Sequence, residues 1–389
     1  MSLVLDTLFM LLRSQICDAA VDTELAERVV GDTEAFGKLY SLSKNHDVAH
    51  IVGAALDAAG LLPAESETAA KFRKQHFTAV YRYKRIEYEL SELLRVLNDA
   101  KIDHIPLKGS VIRRHYPAPW MRTSCDIDIL VHNEDLERAA DVLSNVLHYK
   151  REETTSHDIS FFAASGVHVE LHYDLIEESV NAKARQVLES VWSHASVASG
   201  EHTLELSDAM FFFYHEAHAA KHLVQGGCGI KPFIDQWVLE YKVEHDKEAR
   251  GALLAEGDMT AFYAGAQALC DAWLSGKEHT EITMIMQEMV LTGGTYGVME
   301  NLVSIQQIKS GGKLKYALSR IFLPYDVLKF HYPVLIKHKW LTPFFEVVRW
   351  LKLIFCGGLR RSARELKRNS TVSDNETRKA QELLNQLGL

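Results

Sequence analysis

The residues with the clearest chemical potential are acidic. Asp126 and Asp128 sit two apart in the run CDIDILV, Cys125 to Val131, which alternates polar and apolar positions. Residues i and i+2 of a β-strand project from one face, so both carboxylates point together while Ile127 and Ile129 enter the core. Two like charges side by side repel unless a cation lies between them, and hard divalent ions take such oxygen ligands. Magnesium is the natural candidate, with manganese as the alternative. A third carboxylate, Glu170, lies on the polar side of a second alternating run, whose other side is Val167, Val169, Leu171, Tyr173 and Leu175. His168 and His172 flank Glu170 on the polar side, where they are expected to hydrogen-bond the carboxylates and fix their rotamers.

Gly109-Ser110 follows a short apolar run and precedes SVIRRHY. A glycine at a strand-to-helix junction lets the backbone approach a ligand, and the free N–H groups of the helix then face an anion. A phosphate cradle, a carboxylate pair and a third strand carboxylate together suit a two-metal displacement at phosphorus. Taken singly, each piece has a plainer reading: a Gly-Ser turn, a solvated strand face, a polar-face glutamate. Their order, spacing and strand placement together favour the site.

The positioning elements follow from periodicity. Ile102 to Gly109 reads as a short strand, and Cys125 to Val131 as a second, bounded by Tyr116-Pro-Ala-Pro119 and by His132-Asn133. Asn133 is expected to cap a helix that buries Leu136, Ala140, Leu143 and Leu147. DISFFAASGVHVELHYDL reads as two antiparallel strands turning at Ser165-Gly166. Residues 1 to about 77 read as helices broken near Gly31-Asp32 and at Gly60 to Pro63, and a stronger helix runs from Arg82 to Ala100 with Ile86, Leu90, Leu93, Leu94 and Leu97 on one stripe. From about 207 onward the chain is helical again. The spacing predicts an α+β fold: a small mixed sheet within 78–200, an N-terminal helical region 1–77, and a C-terminal helical domain 201–389 with a basic tail.

At 389 residues the chain exceeds one compact core, and its 47% hydrophobic and 24% charged composition is that of an ordinary folded protein rather than a disordered one. Its net charge of −9 is uneven: residues 309–368 hold fourteen Lys or Arg against Asp326, Glu346 and Glu365, a segment of +11 that leaves −20 elsewhere. There Trp340, Phe344, Phe345, Trp350 and Phe355 interleave with Arg349, Lys352, Arg360 and Arg361. Such a mixture suits an anionic membrane surface or a nucleic-acid backbone, or only a helical stripe with a solvated face. Cys17, Cys125, Cys228, Cys270 and Cys356 are odd in number and scattered, as expected of free thiols in a reducing cytoplasm. Asp6 interrupts the apolar N-terminal stretch, which reads as an amphipathic helix rather than a signal peptide. No run approaches the roughly 20 apolar residues needed to span a bilayer, and a cytoplasmic location is expected.

The order hydrophobic-Gly-Ser, short helix, hydrophobic-Asp-hydrophobic-Asp-hydrophobic, then hydrophobic-Glu-hydrophobic resembles the DNA polymerase beta-like nucleotidyltransferase superfamily. More narrowly, LKGS, Tyr116-Pro117, Arg122, DIDILV and VELH resemble a bacterial nucleotidyltransferase family with flanking helical regions. The likeness is strongest over 104–175 and weaker near His218, Lys221, His222 and Asp235; FLPYDVLKFHYPVL and the Trp-rich stretch after it resemble one branch. By this resemblance Asp126 and Asp128 bind both metals, while Glu170 completes one metal site and draws the proton from the attacking hydroxyl. Gly109 and Ser110 hold the triphosphate. The superfamily more often has two glycines before the serine; Lys108 stands at the first, where its charge would meet phosphate. Arg122 is a second phosphate candidate, or else a surface charge.

His215, His218 and His222 lie at i, i+3 and i+7 on one helical face and could ligate zinc, although His215-Glu-Ala-His218 lacks the H-E-x-x-H spacing of metalloproteases. The preferred reading is that Lys221 and His222 reach over the nucleotide from the helical domain, and packing between helices is the alternative. The expected reaction moves a nucleoside monophosphate from a magnesium-bound nucleoside triphosphate to an acceptor, which the sequence does not name, a small molecule, protein or RNA, with release of pyrophosphate. Two rivals remain open: a nucleotide-binding but inactive module, and a peripheral scaffold acting through the basic segment.

Overall fold

The computed structural model describes residues 2–154, 157–175, 181–295, 299–355, 369 and 373–389. Four helices open the chain: α1 (Ser2–Ile16), α2 (Thr23–Val30), α3 (Thr33–Asn45) and α4 (Ala49–Ala58). Asp22 and Asp32 cap α2 and α3 by accepting from backbone N–H groups of the first turn. The break at Gly31-Asp32 falls where the sequence places it, whereas those between Ile16 and Thr23 and between Asn45 and Ala49 are not marked in the sequence pattern. The expected amphipathic character of α1 is incomplete, because Leu8, Phe9, Leu11, Leu12 and Ile16 are all buried. Phe9 stacks on Trp273 at 4.7 Å, so α1 is an interior element of a core shared with the later helices.

The helix expected from Arg82 begins earlier. α5 (Glu67–Asp99) is 33 residues long, capped by Ser66, whose side chain accepts from the Ala69 N–H. Its second half carries Ile86, Leu93 and Leu97 against the sheet. Then come β1 (His104–Pro106), α6 (Gly109–Ile112), β2 (Asp126–Val131), α7 (Leu136–Asn145), β3 (Lys150–Thr154), β4 (Asp158–Phe162) and β5 (His168–His172). Asn133 is not a helix cap: Asn133–Asp135 forms a 3-10 turn, and α7 starts after Asp135 without a side-chain cap. α8 (Ala182–Glu189) leads to the hairpin β6 (Ala195–Ser199) and β7 (Thr203–Leu206), which the sequence pattern does not announce.

The seven strands among the described residues form one mixed sheet in the order β3-β4-β5-β2-β1-β7-β6. β2 pairs in parallel with β5 and antiparallel with β1. Ile127, Ile129, Val131, Val169 and Leu171 point to one face, where α5 and α7 cover them with Leu93, Leu97, Ala140 and Leu143. The alternate residues Asp126, Asp128, Glu170 and His172 therefore face the other way.

That second face meets α9 (Asp208–Val224), followed by α10 (Lys231–Tyr241), α11 (Lys247–Glu256), α12 (Thr260–Leu274) and α13 (Glu281–Gly293). Leu130, Met210, Phe213, Ala217 and Phe233 belong to the large core that joins sheet and helices. α14 (Met299–Ser310), α15 (Lys313–Ile321), α16 (Tyr325–His331), α17 (Val334–Lys337), α18 (Thr342–Phe355) and α19 (Asp374–Leu387) complete the described chain. Arg360 and Arg361 of the basic tail, and Cys356, lie outside the described residues. The other four cysteines are free thiols. Among the described residues no helix is long and apolar enough to cross a membrane.

Candidate active site

The period of two in β2 and β5 does what the sequence implies. Because the strands pair in parallel with Asp126 opposite His168, Asp128 opposite Glu170 and Leu130 opposite His172, their polar side chains form a patch on one sheet face. Asp128 is almost fully buried. Its Oδ1 accepts from Lys108 Nζ at 2.7 Å and lies 2.9 Å from His172 Nε2. His172 Nε2 is also 3.3 Å from Oε2 of Glu170, and His168 Nδ1 is 3.7 Å from Oε1. His172 thus hydrogen-bonds the carboxylates as expected, whereas the hydrogen bond of His168 is to Ser160, Nε2 to Oγ at 3.2 Å.

Electrostatics separates the two aspartates. Burial alone would raise both, but the Lys108 ammonium and the His172 hydrogen bond hold Asp128 well below the usual carboxylate range. For Asp126, burial and the neighbouring Asp128 charge outweigh the more weakly felt Lys108 and Arg122 and push it upward. No hydrogen bond to its carboxylate appears among the described residues. Burial lowers His172, yet its bonds to Asp128 and Glu170 outweigh that and leave it raised.

Two sets of three ligand atoms, Asp126-His168-Glu170 and Asp128-Glu170-His172, each lie within 4.8 Å of one another. Glu170 is common to both. Oxygen-rich sets with an unrelieved acidic member fit a hard divalent cation, and the histidines stand within ligating reach rather than only behind the carboxylates.

Asp126, Asp128 and Glu170, but not His168 and His172, line a cleft of about 370 Å³ with Lys108, Gly109, Arg122, Ser124, Tyr214, His218, His222, Lys231 and Asp235 on its walls. That is within the range of ~300–1,000 Å³ typical of small-ligand sites. Ser110 and Lys221 are not on the lining. The Ser110 hydroxyl is buried and has no hydrogen-bond partner among the described residues. Lys221 stands beside the cleft, where burial and the charge of Lys108 lower it to about 8.

Gly109 begins the four-residue α6, and a Cβ there would meet the Ser124 side chain at 3.2 Å and the Arg113 guanidinium at 3.3 Å. Arg113, buried, donates from Nε to the Gly109 carbonyl and from Nη2 to Ser124 Oγ at 2.7 Å. This ties the turn to the loop before β2, a tie the sequence reading missed. Lys108 itself has φ 45° and ψ −122°. The backbone keeps a conformation suited to glycine, the residue usual at this position in the superfamily that the sequence resembles.

Arg122 is not a surface charge. Its Nε lies 2.7 and 2.8 Å from the two carboxylate oxygens of Asp235 on α10, and Tyr116 Oη donates to the same Asp235. Burial works against the guanidinium, but Asp235 more than offsets it and raises Arg122. On the same loop, Thr123 Oγ1 donates to Asp47 Oδ2 at 2.8 Å, and Lys231 Nζ donates to that oxygen at 2.6 Å. Tyr116, Arg122 and the stretch near Asp235, separate patches in the sequence, are thus one network fastening the Asp126 loop to the helices.

The three-histidine zinc set does not assemble. His215 Nε2 bonds the Pro232 carbonyl at 3.0 Å, while His222 Nε2 meets His218 Nε2 at 2.9 Å. Burial lowers all three, His222 to about 4. Among the described residues the metal-competent groups are those around Glu170, and none includes these histidines. On the cleft wall, burial disfavours the charged form of both His218 and His222.

No curated protein and no solved structure matches the chain. A family model described as an uncharacterised nucleotidyltransferase matches residues 32–275, a span that contains α3 to α12, the carboxylate patch, Arg122 and Asp235. The chain belongs to this nucleotidyltransferase family.

Proposed function

We propose that the protein is a polymerase beta-like enzyme that moves a nucleoside monophosphate from a nucleoside triphosphate to a hydroxyl or other acceptor. The observation that carries this reading is the lateral pairing of Asp128 with Glu170 on adjacent parallel strands, beside Asp126 and facing the cleft. Asp126, Asp128 and Glu170 would hold magnesium, with His168 and His172 in reach. When bound, the ion supplies charge neutralisation at the phosphates and at the attacking oxygen. The acceptor oxygen forms a bond to the α-phosphorus, the bond from that phosphorus to the bridging oxygen breaks, and pyrophosphate leaves. Glu170, more exposed than Asp128, is the group assigned to take the acceptor's proton. Lys108, the Gly109 N–H and Lys221 supply positive character for the triphosphate, Ser110 would contribute through its unpartnered hydroxyl because its N–H donates to the Leu107 carbonyl, and His222 packs beside the triphosphate from α9. Arg122 serves through its network with Asp235, steadying the Asp126 loop.

A second reading has a specific observation in its favour. The Lys108 ammonium already neutralises Asp128, as expected of a nucleotide-binding module without turnover. Calorimetric titration with Mg-ATP and Mg-GTP, followed by pyrophosphate release in the presence of cell extract, separates the two. Catalysis predicts release that vanishes in the Asp126→Asn, Asp128→Asn double variant. Binding without release in the wild type favours the module, and unchanged release in the double variant excludes both metal roles.

A further inference from the structure

Apolar residues exposed singly are ordinary, whereas a cluster of them demands an explanation. Ten of the eighteen large apolar side chains exposed among the described residues fall between Leu314 and Leu351. They follow helical spacing. On α18, Phe344, Val347 and Leu351 share a face, with Trp340, 76% exposed, one turn before it. On α15, Leu314 and Leu318 repeat the pattern, and Phe322 follows at its end. Ile336 is exposed on α17.

The two stripes belong to one packed unit. Arg349 Nη2 donates to the Ile321 carbonyl, and the Leu323 N–H donates to Glu346 Oε1 at 2.7 Å. The same Glu346 is buried and paired with Arg349 at 2.9 Å, so its charge is spent inside. The exposed charged side chains described between 313 and 352 are Lys315, Arg320, Lys337, Lys339 and Lys352, all basic. Aromatic rings lie under the ammonium groups: Lys339 is 4.6 Å from the Tyr325 ring centre and Lys352 is 5.1 Å from that of Tyr332.

We propose that α15 to α18 form a docking surface for an anionic lipid bilayer, lying in the headgroup region with the Trp340-Phe344-Leu351 stripe inserted. Charge complementarity selects this occupant. The segment is strongly basic within a chain of net charge −9, so an anionic surface attracts this end and repels the rest. α18 has 14 residues, too few to span, and its apolar face with basic neighbours and tryptophan at the boundary is the pattern of an interfacial helix. A nucleic-acid backbone would engage the lysines and arginines but leave Leu314, Leu318, Ile336, Val347 and Leu351 in water, because phosphate contacts use no aliphatic surface. Docking would hold the cleft near an acceptor at or on the membrane.

Flotation of the full-length protein with vesicles tests this. Phosphatidylcholine vesicles are compared with vesicles containing about one-third phosphatidylglycerol, at low and high salt. The proposal expects association with the anionic vesicles only, weakened by salt. The Trp340→Ser, Phe344→Ser, Leu351→Ser variant should partition at least roughly tenfold more weakly, since each inserted side chain contributes through its buried apolar area. Lys337→Gln and Lys339→Gln should each weaken it about fivefold, as expected for one lysine near an anionic surface. Circular dichroism and the thermal midpoint of each variant confirm that the fold is retained. Absence of wild-type binding to anionic vesicles overturns the proposal. So does binding that the serine variant leaves unchanged, preferential binding to an oligonucleotide that competes with vesicles, or a wild-type dimer that the serine variant dissociates while vesicles capture neither.

Discussion

The ammonium of Lys108 reaches Oδ1 of Asp128 across 2.7 Å from a backbone held at φ 45°. The two facts belong together. A lysine in that conformation costs on the order of 1–3 kcal/mol and persists only where its surroundings fix it. Burial opposes the ammonium, but the Asp128 charge more than offsets this and raises Lys108 above its ordinary range. A cation carried by the chain thus occupies one carboxylate of the candidate metal site.

Lys108→Gly should relax the backbone and free Asp128 at once. Without metal, His172 alone would offset the buried Asp128 charge; with metal, no ammonium competes. The expected outcome is a larger magnesium-induced rise in melting temperature for Lys108→Gly than for the wild type. Lys108→Ala should show the same larger rise from a lower starting stability, by about 1–2 kcal/mol, because the strained φ remains. Equal shifts in all three proteins would mean that ammonium and metal do not compete.

Asp235 is the counter-charge for a buried cation. Replacing it with Asn leaves the Arg122 guanidinium unpaired and weakens the Tyr116 bond, so denaturant melts should show a loss of about 3–5 kcal/mol. Pairing Asp235→Leu with Arg122→Met should recover most of that stability, because the uncompensated charge has gone. Magnesium binding should not recover in proportion, since the loop before Asp126 loses its fastening. A double variant as unstable as Asp235→Asn would show that shape, not charge, dominates there.

The parts of the fold legible in the sequence are those whose periodicity is enforced by burial on one side. β2 and β5 have a fully buried face, so Ile127, Ile129, Val169 and Leu171 mark the register and place the acids opposite them. The hairpin β6–β7 carries Ala195, Ser196 and Ala198 in a half-exposed edge, and nothing in such residues demands a strand. The first half of α5 was hidden because few of its positions, Ala69, Phe72 and Ala79, are buried. Within the site, the carboxylates follow from local spacing. The fates of Lys108 and Arg122 depend on partners 20 and 113 residues away, which no local pattern encodes.

Lys221 gives the proposed triphosphate contact a pH signature. Burial first, and then the Lys108 charge, lower it to about 8, so it is cationic below that pH and neutral above. Triphosphate affinity should therefore fall as pH rises from 7 to 9. Lys221→Arg, whose guanidinium stays charged throughout, should flatten that fall. Calorimetric titration at several pH values measures both. A decline that persists unchanged in the arginine variant would assign the titration to another group.

Glu216 supplies the corresponding signature for stability. It lies on α9 with both carboxylate oxygens buried and without a hydrogen-bond partner among the described residues, and burial pushes it up to about 8. In the unfolded chain it titrates near its ordinary 4.5. Between these values the folded chain holds a proton that the unfolded chain releases, so stability is full below about 4.5 and falls as pH climbs toward 8. Glu216→Gln keeps the shape without the titration. Melts from pH 5 to 9 should show the wild type losing stability relative to the glutamine variant, on the order of a few kcal/mol by pH 8, with no further divergence above it. Parallel profiles would mean that the folded protein accommodates an ionised Glu216, and that Arg250, the nearby cation opposing the shift, compensates it fully.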